Sequence, residues 1–190
     1  MGTARASFRG GPWSWLAPLV LLTLLLPAAA HAACTPVAQR SPLFRHASTA
    51  DPSLRITFVG HASFLIESAQ GVRAVTDYSG YHGPPEPPDI VTMNRAHSTH
   101  YTLNPDPRIK HVLHGWQDGG EPPRHNLVLR DMRVTNLPTN IRDWGGNTVI
   151  NGNSVFIFES AGLCVAHLGH LHHPLEPGHL RALGRVDVVL

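Results

Sequence analysis

Asp89-Ile90-Val91-Thr92-Met93-Asn94-Arg95-Ala96-His97-Ser98-Thr99-His100-Tyr101 joins a short apolar run to a pair of histidines. Ile90-Val91-Thr92-Met93 reads as a buried strand, and His97 and His100 come directly after it. At a strand end or in a first helical turn, that spacing lets both imidazoles face one point, as a shared metal ion requires. Two surface histidines on a turn would be spelled the same way. The choice between the two has to come from the rest of the chain.

Upstream, the texture is that of short strands and tight corners. Ile56-Thr57-Phe58-Val59 is a strand, Gly60-His61-Ala62 a corner and Ser63 to Glu67 a second strand. Ala69-Gln70-Gly71 turns the chain into a third strand, Val72 to Asp77, which ends in an acid. Loops this short predict an antiparallel meander. Residues 79–88, with two glycines and four prolines, can be neither helix nor central strand and lead into the opening stretch as a surface loop.

Downstream, Lys110 to His114 reads as a strand, Gln117 to Arg124 as a loop, and His125 to Val134 as further strand. Leu137 to Gly146 is too polar and constrained for simple core and reads as a loop. Thr148-Val149-Ile150 and Ser154 to Phe158 flank Asn151-Gly152-Asn153, a hairpin signal. Ser160-Ala161-Gly162 turns into Leu163-Cys164-Val165-Ala166-His167, and Leu168-Gly169-His170-Leu171-His172-His173 comes next. A short helix is expected near Glu176 to Leu183. The last strand opens at Val186, and an uncapped strand at Leu190 suggests a C-terminally incomplete domain.

Composition narrows the function classes. The 190 residues suit one domain with a real core. Charged residues are only 15%, while Gly and Pro number 17 each, which favours turns and short strands over long helices. Histidine is the outlier, at 14. Formal charge is +2, and Arg5 and Arg9 lie in a leader, so the remainder is near neutral and has no basic field for nucleic acid.

That leader is residues 1–32, read as a secretory signal peptide. Arg5 and Arg9 supply its positive start, Leu16 to Leu26 its apolar core, and Ala30-His31-Ala32 the small residues that a signal peptidase reads. The apolar core is short for a membrane span, so no stable anchor is expected after cleavage, and the chain is assigned to the periplasm or the exterior. Residues 33–54 read as a linker, and 55–190 as the folded domain. An oxidising compartment permits a Cys34–Cys164 bridge. A buried free thiol in the apolar run around Cys164 is equally natural.

Three features then line up at strand ends: Gly60-His61-Ala62-Ser63-Phe64 with Asp77, the His97/His100 pair, and His167-Leu168-Gly169-His170. Strand ends are where a sheet exposes functional groups on a rigid support. With Asp89-Ile90-Val91-Thr92 and Val186-Asp187-Val188-Val189, they make the chain resemble the metallo-β-lactamase-fold hydrolases from about Arg55 to Leu190. The likeness is in particular to the branch with the ascorbate-phosphate lactonase-like proteins. The resemblance implies an α/β (α+β) fold, a four-layer αββα sandwich with two mixed sheets inside, incomplete at the C-terminus.

It also implies a metal site. The family signature, His-x-His-x-Asp-His, serves one or two zinc ions that activate water for hydrolysis. It falls on Arg95-Ala96-His97-Ser98-Thr99-His100, with Arg95 in place of the first histidine and Thr99 in place of the aspartate. The family's later acid falls on His170, the segment Thr139 to Gly146 occupies the place of a middle histidine, and a last histidine would lie beyond Leu190. The implied ligands are His97, His100 and His170, for zinc or another divalent metal. Arg95 is the serious departure, because a guanidinium cannot give up its proton to bind a cation. Held ~4 Å from a dication at an effective dielectric near 20, it would be repelled by roughly 8 kcal/mol.

Asp77 is a candidate to orient a ligand imidazole, or a turn residue at a strand end. His61 is a candidate in the same supporting shell, or a structural histidine at a corner. Arg142 is a candidate to hold an anionic group of a substrate, or a partner in a surface ion pair. The expected function is an exported zinc-dependent hydrolase of a small ester, lactone or phosphodiester, weakened by Arg95 and Thr99. The alternative is a non-catalytic metal- or ligand-binding envelope protein on the same scaffold.

Overall fold

Apolar residues at every second position dictate how the sheets lie. In the run Leu65-Ile66 and again in Ala74-Val75, neighbouring residues go to different apolar clusters, as a strand buried on both faces requires. The computed structural model describes Gly2, Cys34 and residues 54–190. The chain divides into two units, Met1–Ala30 and His31–Leu190. The fold is that of the second unit. The expected leader apart from Gly2, and the linker apart from Cys34 and Leu54, lie outside the described residues. Among those residues, no helix is long and apolar enough to cross a membrane.

The first sheet contains β1 (Arg55–Gly60), β2 (Ser63–Glu67), β3 (Arg73–Val75), β4 (Ile90–Met93) and β5 (His111–His114), in that order. The expected meander is present: β1–β2 and β2–β3 are antiparallel, while β3–β4 and β4–β5 are parallel. The second sheet contains β6 (Asn126–Leu129), β7 (Met132–Arg142), β8 (Thr148–Ser160), β9 (Leu163–His167) and β10 (Val188–Val189). It is antiparallel except where β10 runs parallel to β9. One helix, α1 (Pro177–Leu183), is found among the described residues.

Ile66, Ala74 and Ile90 of the first sheet pack with Met132, Val134, Phe156, Phe158 and Val165 of the second to form the central core. Truncating Phe156 or Phe158, both fully buried, would cost about 3–5 kcal/mol. A second cluster, with Val75, Val91, Met93 and Trp116, covers the other side of the first sheet. A third, with Val155, Ile157, Ala166 and Leu183 of α1, covers the other side of the second. These are the two mixed inner sheets of a metallo-β-lactamase-like sandwich, with α1 on the outside of the second.

The two cysteines form a disulfide, which settles the open choice between bridge and free thiol. It ties Cys34 to β9, and the Cys34 amide also donates to Glu159 Oε2 of β8 at 3.2 Å.

Three local expectations are corrected. Asn151-Gly152-Asn153 is no hairpin: β8 runs straight through it. Gly152 is needed for a close approach, since a Cβ there would sit 2.6 Å from Ile141 Cγ1. Asn151 adopts a positive φ of 51° where the β7–β8 register shifts between Thr139 and Ile141. The true turn is at Asp143 to Gly146, closed by Gly146 N donating to Asp143 O at 3.0 Å. Leu137 to Arg142, expected as loop, is the second half of β7. Pro138 is tolerated there because β6 pairs with β7 only as far as Thr135, leaving one edge open. Finally, His125 to Val134 is two strands, not one, divided at Arg130, whose φ is 49°.

Candidate metal centre

The buried strand β4 ends at Met93, and the next residue anchors the loop beyond it. Asn94 is fully buried; its Nδ2 donates to Asp77 Oδ1 at 3.0 Å and its Oδ1 accepts from the Ser154 amide of β8 at 2.8 Å. One side chain thus joins the end of β4 in the first sheet to the middle of β8 in the second. From this anchor the chain coils tightly, with His100 N donating to His97 O at 2.9 Å, so that both imidazoles face the same region.

The third histidine arrives from the second sheet. Gly169, just after β9, takes a φ of 63°, and a Cβ there would fall 2.2 Å from Asn94 Nδ2 and 2.5 Å from Asn153 Oδ1. Only glycine fits. The His170 amide then donates to Asn153 Oδ1 at 2.7 Å, while Asn153 Nδ2 donates to Thr139 Oγ1 at 2.8 Å and Leu168 O at 3.1 Å. Asn153 does for the β9 loop what Asn94 does for the β4 loop.

One nitrogen from each of His97, His100 and His170 lies within 4.8 Å of the others. His170 Nδ1 is 3.0 Å from His100 Nε2. The far nitrogens are occupied in a way that frees the near ones. His100 Nδ1 donates to the fully buried Asp77 Oδ2 at 2.5 Å, and His97 Nδ1 meets the Thr99 hydroxyl at 2.6 Å. A carboxylate behind a ligand imidazole fixes its tautomer and raises its basicity.

The electrostatics favour uncharged rings. The His170 pKa is pushed down to about 4, first by burial and then by His100, His172 and His97. His97 is lowered for the same reasons, burial first, then His100 and His61. Neutral imidazoles with free lone pairs at neutral pH are what a borderline divalent ion such as zinc binds, so the donor set fits such an ion.

The remaining histidines near the site take different roles. His61 stands edge-on to His100 and His97, with ring centroids 5.1 and 6.0 Å away, but among the described residues it makes no hydrogen bond to either. His167 is buried at the end of β9, where its Nε2 meets Ala62 O at 2.9 Å, and it stays out of the cluster. His172 accepts the Arg142 amide on Nδ1 at 2.7 Å, and its ring centroid is 4.3 Å from that of His170. Sequence reasoning also misses Asn94, Asn153 and the hydroxyl of Thr99.

Beside the cluster lies a cavity of about 440 Å³, whose walls include His97, His170, Arg95, Arg142, Trp144 and Asp143. Arg95 is exposed on this wall and is not among the three gathered nitrogens. Asp143 is the one carboxylate of the lining. It is held by Asn147 through both its side chain and its amide, and these bonds lower its pKa.

A family model described as "Beta-lactamase superfamily domain" matches residues 55–190. No curated protein matches the chain. Among solved structures, the chain is similar to a Thermotoga maritima protein described as a candidate Zn-dependent hydrolase of the metallo-beta-lactamase superfamily. That pair shows 28% identity and a TM-score of 0.47, over 72% of this chain and 60% of the other. A candidate metal-dependent hydrolase from Parabacteroides distasonis gives 16% identity and a TM-score of 0.45, over 61% of this chain and 60% of that one. CmlA, a diiron beta-hydroxylase from Streptomyces venezuelae, gives 17% and 0.47, over 74% and 34%. The chain therefore spans 60% of the length of the first two.

Proposed function

Since the chain belongs to the beta-lactamase superfamily and has the metallo-β-lactamase fold, we propose that it is a metal-dependent hydrolase with His97, His100 and His170 as ligands. The observation that carries this reading is the convergence of three imidazole nitrogens, one of them backed by a buried carboxylate. Zinc is the ion we propose, because a set of three imidazole nitrogens suits it. When bound, such an ion supplies Lewis-acid activation of water and of the bond to be cut.

The chain's own residues do the rest. Asp77 keeps the His100 proton on Nδ1, so that Nε2 stays available. Thr99, which stands where the family has an acid, orients His97 in the same sense. Arg142 is proposed to meet the substrate, which we take to be an ester, lactone or phosphodiester, in keeping with the lactonase-like branch. Asp143 is committed to its own turn and does not serve as a proton donor.

Export to the periplasm or beyond is part of the proposal. The leader pattern of residues 1–32 supports it, as does the Cys34–Cys164 bridge, which reducing compartments disfavour. A mature N-terminus near Ala33 on protein recovered outside the cytoplasm is the expected outcome.

The test is metal content by plasma mass spectrometry, alongside turnover of a panel of esters, lactones and phosphodiesters. Wild type should retain metal, and His100→Ala and His170→Ala should lose it. Full retention by both variants would sink the assignment. Arg95 and Thr99 at two ligand positions favour one second reading, a binding protein that holds metal without turnover. Metal retention with no hydrolysis across the panel would select it.

A further inference from the structure

The cavity beside the histidines carries charge that the hydrolase reading uses only in part, through Arg142. Arg95 and Arg142 both line it, both are exposed, and among the described residues neither forms an ion pair. The only lining carboxylate, Asp143, is already bonded to Asn147. The wall is therefore net cationic, and a concave surface concentrates such a field.

The two arginines are also fixed at their bases. Arg95 is next in the chain to Asn94, whose amide group is bonded on both sides. The Arg142 backbone is held by His172, which packs against His170. Their guanidinium forks are left free to take a ligand's oxygens in parallel hydrogen bonds.

Donor supply points the same way. Among the described residues, the carboxylate and hydroxyl nearest the cluster are committed elsewhere, and His61, edge-on to His100 and His97, is outside the one group of converging donors. Asp77 uses both oxygens, the Thr99 hydroxyl is on His97, and His172 Nδ1 is on the Arg142 amide. His97, His100 and His170 form one set of donors, not two.

We propose that the centre takes a single divalent ion and that Arg95 and Arg142 form an anion-binding subsite at its mouth. The guanidinium groups supply there the positive charge that a second ion would otherwise bring. The substrate then carries a phosphate, phosphonate or carboxylate group close to the bond that is cut. The inference rests on the cluster being a metal centre.

The experiment uses the purified chain, metal-loaded and metal-stripped. Metal equivalents are counted, and binding of phenylphosphonate, benzoate and neutral benzyl alcohol is measured by titration calorimetry. The expected result is about one equivalent of metal per chain. Binding of one or both anions should be weakened about tenfold or more by R95Q or R142Q, in stripped protein as well as loaded. The tighter of the two anions identifies the headgroup. R130Q is the charge control: Arg130 precedes β7 and Arg142 ends it, so the two lie roughly 35 Å apart along an eleven-residue strand. It should leave anion binding unchanged.

Two equivalents of metal per chain would overturn the single-ion centre. Anion affinity equal to wild type in the R95Q/R142Q double variant, or equal binding of benzyl alcohol and benzoate, would overturn the subsite. A chain that retains no metal overturns the hydrolase proposal together with the ion count. In that case arginine-dependent binding by the metal-free protein still decides the subsite.

Discussion

The histidine cluster has two sides that are built by different rules. On one side His100, Asp77, Asn94 and Asn153 are nearly or fully buried, and their polar side-chain atoms are paired in a connected network. On the other, Arg95, Arg142 and Trp144 are exposed, with Trp144 at 96%. A buried polar network is costly if broken and rigid if complete. An exposed wall costs little to rearrange and can adapt to a ligand. The buried side should therefore govern stability and hold the metal ligands in place, and the exposed side should affect what binds there with little effect on stability.

The comparison breaks first, if it breaks, at Asn94. Asn94→Ala leaves Asp77 Oδ1 and the Ser154 amide without their partner inside the protein. We expect a loss of about 2–4 kcal/mol in urea unfolding, with weaker metal binding. A midpoint equal to wild type would mean that the two sheets are joined here by something other than this side chain. Gly169→Ala should come close behind, at about 2–3 kcal/mol, because its Cβ would strike Asn94 Nδ2 at 2.2 Å and its φ is positive.

Asn94 and its counterpart Asn153 also mark where the sequence stops being legible. The strands, the meander and the His97/His100 pair can be read because periodicity and spacing are local signals. His170 and Asp77 can be picked out because each sits just past a recognisable strand. Asn94 and Asn153 cannot: Asn94, between Met93 and Arg95, carries no local signal, and Asn153 lies in Asn151-Gly152-Asn153, which reads as a turn. Their work is to bond backbone and side chains that are distant in sequence, such as Asn94 with Ser154, and no local pattern records that. Thr99 reads only as a lost acid, since a hydroxyl's service to a neighbouring imidazole depends on a coil that the spelling does not fix.

Acid probes the boundary between the two sides. His170 and His97 have pKa values below their usual 6.5, so the folded chain refuses protons that the unfolded chain accepts. For the metal-free protein, stability should be level above pH 6.5 and fall as the pH drops from about 6.5 towards 4. Because His170 is only half-buried, solvent screening keeps the loss on the order of 1 kcal/mol. Stability that rises on acidification over that range would contradict the neutral-ring reading.

On the exposed side, Arg95→His would place a histidine where the resemblance implies the family's first ligand. We expect more metal per chain, with a stability change within about 0.5 kcal/mol. Unchanged metal content would count against the register that lays Arg95 to His100 on the family signature.

The smallest expected effect is at Trp144, where intuition about tryptophan points the other way. A buried tryptophan contributes several kcal/mol, but Trp144 sits in the β7–β8 turn with 96% of its surface in contact with solvent. The turn keeps its form without it, through Asp143 accepting from Gly146 N and Asn147 N. Trp144→Ala should shift the unfolding midpoint by less than about 0.5 kcal/mol equivalent. Any loss should appear in titrations with aromatic anions, where the indole can cover the ring while the arginines hold the charged end. A stability loss above about 1 kcal/mol would mean that this turn is packed, and the exposed wall would then share the rigidity assigned to the buried one.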